Sequence, residues 1–218
     1  TNTINQYTIV ANTFTGVIPV GPAEVLTSLT NAGGMFDLIN QGVVSGNVTL
    51  NITGDLLAET GTIGLNQWAE SGSGNYTLTI RPSAAVQRTI AGSSAGNALI
   101  RLNGADRVTI DGRFAGSGTW LTFRNTSNTA PTIGLLNDAK DNTLTYAIVE
   151  GGNTTTASGN LGGTINIGNT TSLLPDGNDN NTISFCDIRD RSDIVATPAM
   201  AIMSIGYNAG TLDQYNNN

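Results

Sequence analysis

Apolar residues in this chain recur in short runs with a period of two. Val48, Leu50 and Ile52 alternate with Thr49, Asn51 and Thr53, and the run stops at Gly54-Asp55. Tyr76-Thr77-Leu78-Thr79-Ile80 repeats the alternation and stops at Arg81-Pro82. Such alternation predicts half-buried strands. Shorter strands are predicted at Thr89–Gly92, Ala98–Leu102, Arg107–Gly112 and Trp120–Phe123, bounded by turn residues such as Asn103-Gly104. Residues 56–74 read as loop, with Trp68 as the bulky anchor. Tyr7–Val10 and Thr15–Val20 read as short strands closed by Gly21-Pro22, so residues 1–22 form a lead-in strand or a linker. Helical signals are confined to residues 23–41. Ala23–Leu29 has room for two turns, and Met35–Ile39 follows Gly33-Gly34 and meets a stop at Asn40-Gln41-Gly42.

One phrase is written twice. Asn142-Thr143-Leu144-Thr145-Tyr146-Ala147-Ile148-Val149 returns 39 residues later as Asn181-Thr182-Ile183-Ser184-Phe185-Cys186-Asp187-Ile188. Each copy is preceded by a second apolar run, Thr132–Leu136 and Thr164–Gly168. Ala201–Gly206 matches that run again, and Tyr215–Asn218 resembles the start of another Asn-led phrase. Constant strands with variable loops at such a spacing predict a solenoid. The expected fold is all-β: a right-handed parallel β-helix over residues 23–218, with a short N-terminal helical cap and further coils beyond residue 218. Leu144 and Ile183, Ala147 and Cys186, and Val149 and Ile188 are expected to stack as inward files about 4.8 Å apart. Asn142 and Asn181 are expected to lie above one another and to turn the corner in the left-handed conformation. An antiparallel sandwich explains the alternation equally well but not the paired repeat.

The stretch Leu26–Phe36, the strand Gly46-Asn47-Val48-Thr49, Leu78–Pro82, Val108–Gly112 and the phrase Asn181-Thr182-Ile183 with Cys186 resemble large secreted β-helix proteins of Bacteroidota. The resemblance covers most of residues 25–218. It implies a secreted or cell-surface multidomain protein, often exported by the type IX system through a C-terminal signal. It supplies no catalytic residues.

Composition narrows the partners. Charged residues make up 11% of the chain, and polarity comes instead from 26 Asn, from Thr and Ser, and from 27 Gly. The net charge is −7 and Lys140 is the sole lysine. No Lys/Arg cluster is available to displace counterions, which argues against nucleic acid as a partner. No apolar run is long enough to span a bilayer, so no membrane insertion is expected in this segment. Cys186 is the single cysteine and the chain has no histidine. Cys186 therefore reads as a small core residue.

Four acids are the candidate catalytic residues. Asp111, Glu150, Asp187 and Asp190 sit at or just after strand ends in successive coils. Two of them need to approach within about 5–9 Å to hydrolyse a glycosidic bond. A lyase also needs a base such as Arg189 or Arg191. The plainer reading is that these are solvated turn acids. A candidate calcium site follows from Asp176, Asn178, Asn180 and Asp187, which fall at the first, third, fifth and twelfth places of an EF-hand-like spacing. Asn181 replaces the required glycine, and a strand follows where a helix belongs. No other cofactor is expected. Trp68, Trp120, Tyr76 and Tyr207 are candidate sugar platforms, although packing explains them equally. Asn125 and Asn153 are among the Asn-x-Ser/Thr sequons.

The leading expectation is a non-catalytic structural or adhesive module, secreted or at the cell surface, displaying loops such as 151–162 and 169–180 to glycans or other surface proteins. The alternatives are a polysaccharide lyase or glycoside hydrolase, marked by acids and a base converging in one cleft, and a carbohydrate-binding module, marked by exposed aromatics in line.

Overall fold

The computed structural model describes residues 12–156, 159–168, 177–195, 197–209 and 212–214. The segments Tyr7–Val10 and Tyr215–Asn218, and the residue Asp176, lie outside them. The first described elements are β1 (Thr13–Val20) and α1 (Met35–Gln41). The first full coil holds β2 (Val43–Ile52), β3 (Leu56–Glu59), β4 (Leu65–Asn66) and a short β5 (Ala69–Glu70). The second holds β6 (Leu78–Pro82), β7 (Arg88–Gly92) and β8 (Ile100–Asn103). The third holds β9 (Val108–Asp111), β10 (Leu121–Asn125) and β11 (Ile133–Leu136). The fourth holds β12 (Thr143–Thr145), β13 (Ala147–Gly151) and β14 (Ile165–Ile167). The fifth holds β15 (Thr182–Ser184), β16 (Asp187–Asp190) and β17 (Ile202–Ser204), followed by an antiparallel pair, β18 (Tyr207–Ala209) and β19 (Leu212–Gln214).

The coils stack into three parallel faces. The first runs β1-β2-β6-β9-β12-β15, with β5 beside β2; the second runs β3-β7-β10-β13-β16; the third runs β4-β8-β11-β14-β17. This is a parallel β-helix, and the parallel pairing excludes a sandwich. Val48 pairs with Leu78 and Leu78 with Val108, then Thr109 with Thr143 and Thr143 with Thr182. Successive coils therefore take 30, 30, 34 and 39 residues. The repeated phrase pairs as expected, Leu144 with Ile183 and Val149 with Ile188. Ile133, Ile165 and Ile202 also share one file.

Alternation places the core inside the coil. On the first face Leu50, Ile80, Ile110 and Leu144 stack, and on the second Ile90, Phe123 and Val149 stack, all buried. Full burial of each such side chain is worth about 1.5–3 kcal/mol. Burial declines in the last coil, where Ile183, Cys186 and Ile188 are half-buried and Ile202 is 45% exposed. Residues 56–74 are not simple loop: the corners are so tight that the short strands β3, β4 and β5 fit between them.

The corners are built differently from the expectation. Asn142 and Asn181 are not left-handed; the residues before them are. Arg107, Asp141 and Asn180 share one level of successive coils with φ of 59°, 56° and 56°. This frees Asn142 to serve the backbone. Its Oδ1 accepts from the Val108 amide (2.8 Å), and its Nδ2 donates to the Ala105 carbonyl (2.9 Å) and to Asn181 Oδ1 (3.0 Å). The expected stacking of Asn142 on Asn181 is present as a hydrogen-bonded ladder.

The N-terminal end is closed by one helix rather than two. Residues 23–29 turn instead of coiling into a helix, with the Gly21 amide bonded to the Leu26 carbonyl. Their continuation runs beneath β3. There the buried Glu59 carboxylate accepts from Ser28 Oγ, the Leu29 amide, the Thr30 amide and Thr30 Oγ1. Amides consumed in this way are unavailable to a helix. The helix α1 lies beside β4 and buries Met35, Phe36 and Ile39. At seven residues it is too short to persist alone. Asn40 substitutes for a strand neighbour, accepting from the Asn66 amide (2.9 Å) and donating to the Gly64 carbonyl (2.8 Å).

Glu59→Gln presents an amide N–H to groups that all donate. It is expected to destabilise the chain by about 3 kcal/mol in denaturant unfolding, with hydrogen exchange at Leu29 and Thr30 accelerating more than exchange in β10.

Candidate functional site

The second face carries a charged file on its outer side. Along β10, β13 and β16 the inward residues are Phe123, Val149 and Ile188, so the next position in each strand points out. Those positions are Arg124, Glu150 and Arg189, paired in register. Opposite charges on adjacent strands attract, and here a carboxylate lies between two guanidinium groups. Arg124 Nε donates to Glu150 Oε2 at 2.6 Å, and Arg189 Nη2 donates to Oε1 at 2.9 Å. Ser192 Oγ adds a bond to Oε2 at 3.3 Å. Glu150 has no exposed surface although it faces outward, because these groups cover it.

The network extends beyond that file. Arg189 Nη1 also holds Asp187 Oδ2 at 2.9 Å. Arg124 Nη2 donates to Ser192 Oγ at 2.9 Å. Arg191 grips Asp193 through Nε (2.9 Å) and Nη2 (2.8 Å), and its Nη1 donates to the Thr126 carbonyl at 2.7 Å. The turn after β16 is thereby tied back to β10.

Electrostatics favour the ionised forms of Glu150 and Asp193. Burial pushes the Glu150 pKa up, but the hydrogen bonds from Arg124, Arg189 and Ser192 outweigh it and hold the group below its ordinary value. Hydrogen bonding from Arg191 lowers Asp193 against a smaller opposing effect of burial. Hydrogen bonding to Glu150 raises the Arg189 pKa. A general acid must be protonated near neutral pH, and an arginine base must give up its proton. These shifts run the other way for both roles.

The four candidate acids do not form one group. Glu150 and Asp187 meet at Arg189. Asp190 is an exposed residue of β16. Asp111 ends β9 on the first face, where Arg113 holds it through Nε (2.9 Å) and Nη2 (2.9 Å). Burial raises the Asp111 pKa, and the Arg113 bonds overcome this and lower it. Sequence reasoning named Arg189 and Arg191 but missed Arg124, Ser192 and Asp193. Aligning Phe123-Arg124, Val149-Glu150 and Ile188-Arg189 reveals the central file, because the inward residue of each pair fixes the outward one.

The three described calcium candidates, Asn178, Asn180 and Asp187, are spread over the coil. Asn178 Oδ1 accepts from the Ala139 amide (3.0 Å) and its Nδ2 donates to the Gly168 carbonyl (2.6 Å). Asn180 is a left-handed corner residue. Asp187 belongs to the second face beside Arg189. Among the described residues, no three of His, Cys, Asp and Glu are grouped to hold a metal ion.

Among the described residues, the aromatic candidates Trp68, Trp120 and Tyr76 form no ring stack with one another. Trp68 is buried beneath Arg107 and donates to Glu70 Oε1 at 3.1 Å. Trp120 donates to the Ser117 carbonyl, and Tyr76 is half-buried against the core. An unforeseen stack forms instead between Tyr146 and Phe185, with centroids 4.8 Å apart, and the Arg113 guanidinium lies 4.5 Å from the other side of this stack's Tyr146 ring centroid. Of the sequons, Asn125 and Asn153 are fully buried, which closes both to modification in the folded chain. The Cys186 thiol is half-buried, and burial raises its pKa.

Replacing Glu150 by Gln removes the buried carboxylate that Arg124 and Arg189 share, leaving them only the more exposed Asp193 and Asp187. Glu150→Gln is expected to cost about 3 kcal/mol, whereas the exposed Asp190→Asn changes stability little. Because Glu150 is more acidic when folded, its contribution is complete above the ordinary glutamate pKa of about 4.3. It is lost as pH falls through the lower folded value. Thermal midpoints of the wild type and Glu150→Gln should therefore differ at pH 7 and converge toward acid.

Comparison with known protein families, with curated proteins and with solved structures finds no match for this chain.

Proposed function

We propose that this chain is a non-catalytic structural and adhesive module of a larger secreted or cell-surface protein. In this reading the solenoid is a rigid frame, and its variable loops contact glycans or other surface proteins. One observation carries it: the acids best placed for chemistry are committed to arginines in closed ion pairs. A stiff stack of hydrogen-bonded coils suits display, since loops can lengthen without disturbing the files. The coil lengths support this, because the third and fourth coils absorb extra residues while Leu144 and Ile183 keep their register. The resemblance to secreted β-helix proteins of Bacteroidota carries the location, and with it export by the type IX route.

The binding-module alternative draws no support from Tyr146. A sugar platform needs open ring faces. Tyr146 has Arg113 on one side and Phe185 on the other, so both of its faces are occupied.

A glycan-array screen, run with and without a calcium chelator, together with a reducing-sugar release assay tests the reading. Binding insensitive to chelator and no sugar release are expected. Release by the wild type that disappears in Asp187→Asn or Asp111→Asn, with the fold retained by circular dichroism, would replace the display role with an enzymatic one.

A further inference from the structure

Arg88 stands apart from the other cations. Salt bridges engage Arg107, Arg113, Arg124, Lys140, Arg189 and Arg191. Arg81 donates to Asn51 and Arg101 to the Thr62 carbonyl. Among the described residues the Arg88 guanidinium makes neither an ion pair nor a hydrogen bond, and its Nε is buried without a partner. In a chain of net charge −7, a cation left unpaired at the edge of a cavity is a specific feature. A buried N–H without an acceptor is costly enough to call for an explanation.

Register accounts for its position. Arg88 pairs with Leu121 and Leu121 with Ala147, and both of those are fully buried. Arg88 thus starts from an inward level of β7. In the coil before it, Gly54 stands two residues before Leu56, as Arg88 stands two before its partner Ile90. Pro22 of the N-terminal cap takes the place of a side chain there, since a Cβ on Gly54 would lie 2.6 Å from Pro22 Cδ. The result is a groove of about 810 Å³ between the N-terminal cap and β3, lined by Arg88, Pro22, Thr27, Asp55 and Leu57 among others. That volume falls in the range of small-molecule sites.

The groove has three kinds of wall. Arg88 supplies a planar fork of donors, the arrangement that matches a carboxylate. Asp55 uses Oδ1 to accept from the Thr89 amide (2.8 Å), and Oδ2 has no protein partner among the described residues. Pro22 and Leu57 give an apolar surface, and Leu57 is 65% exposed. A bare anion would meet repulsion from Asp55. A ligand with a carboxylate at one end, hydroxyl donors beside it and a C–H face satisfies all three walls.

We propose that this groove binds an acidic sugar unit of a glycan. The carboxylate sits on Arg88, a ring hydroxyl donates to Asp55, and the C–H face rests on Leu57 and Pro22. The inference rests on the display reading only in taking the occupant to be a glycan.

The test is a titration of the folded chain, followed by amide NMR, with sodium glucuronate, glucose, glycine and sulfate in turn. Glucuronate is expected to give saturable shifts at Thr27, Leu57 and Thr89, with glucose and sulfate giving none. Arg88→Gln is expected to weaken glucuronate binding about tenfold or more, the loss of a charge-assisted bond pair. Among the described residues the Arg88 side chain makes no hydrogen bond or ion pair for the substitution to break, and the backbone bond of its amide to the Trp120 carbonyl is retained, so this variant should fold. Leu57→Ser, at an exposed position, provides a second variant and is expected to weaken binding as well. Absence of saturable shifts, equal response to sulfate or glycine, or unchanged binding in both variants overturns the proposal. The two readings fail separately. Sugar release removes the display role and leaves the Arg88 site standing, whereas no glucuronate binding without release removes this site alone.

Discussion

At each corner of a solenoid the backbone leaves one face before it joins the next, and its amides and carbonyls lose their strand partners. Buried groups of that kind must find other partners. Everything else in this chain depends on how that is done. Asn125 Oδ1 accepts from the Ser94 amide, and its Nδ2 donates to the carbonyls of Ser94, Ala130 and Pro131. Asn153 donates to the carbonyls of Leu161 and Gly163. Asn142, Asn178 and Asn181 do the same work before the first face. A carboxamide both donates and accepts, so it can satisfy a corner that offers both kinds of group. The abundance of asparagine, at first a matter of composition, is a consequence of corner geometry.

Glu59 is the informative variation on this rule. Glu59 and Asn125 both pair with Gly92, so the three residues occupy one file. Between coils the file needs a residue that donates and accepts. At the N-terminal cap the chain offers amides and hydroxyls only, and a carboxylate, which accepts four bonds there, replaces the carboxamide. Gly92 separates the two side chains because a Cβ at that point would lie 1.7 Å from the Glu59 carbonyl oxygen. The choice of acid, glycine and amide along one file follows from what each level presents.

Much of this was legible because the inward files are local in the sequence. Period-two alternation and the echo of residues 142–149 in 181–188 are enough to place Leu144 over Ile183 and Val149 over Ile188. What escaped was set by neighbours a coil away. Glu150 reads as a turn acid in its own segment; its burial is created by Arg124, 26 residues before it, and Arg189, 39 residues after it. The left-handed corner was assigned to Asn142, but Asp141 takes it, because Asn142 is needed for hydrogen bonding. Residues 23–29 have helical propensity, and Glu59 overrides it from across the coil. Local pattern thus fixes which residues face in, whereas the partners of outward and corner residues depend on coil length.

The same distinction separates framework charge from available charge. Arginine is costly to bury unless its donors are used. Arg124, Arg189 and Arg191 use theirs on Glu150, Asp187, Asp193, Ser192 and the Thr126 carbonyl, and in doing so fasten the fifth coil to the third. Such groups are poor sites for a ligand, because a ligand would have to displace contacts that hold the coils together. Arg88 has no such commitment, and at the matching level of the coil before it Gly54, packed against Pro22, carries no side chain to pair with it. In a chain with nine cations, the one that the framework leaves unused is the position at which binding energy can be gained without loss of stability.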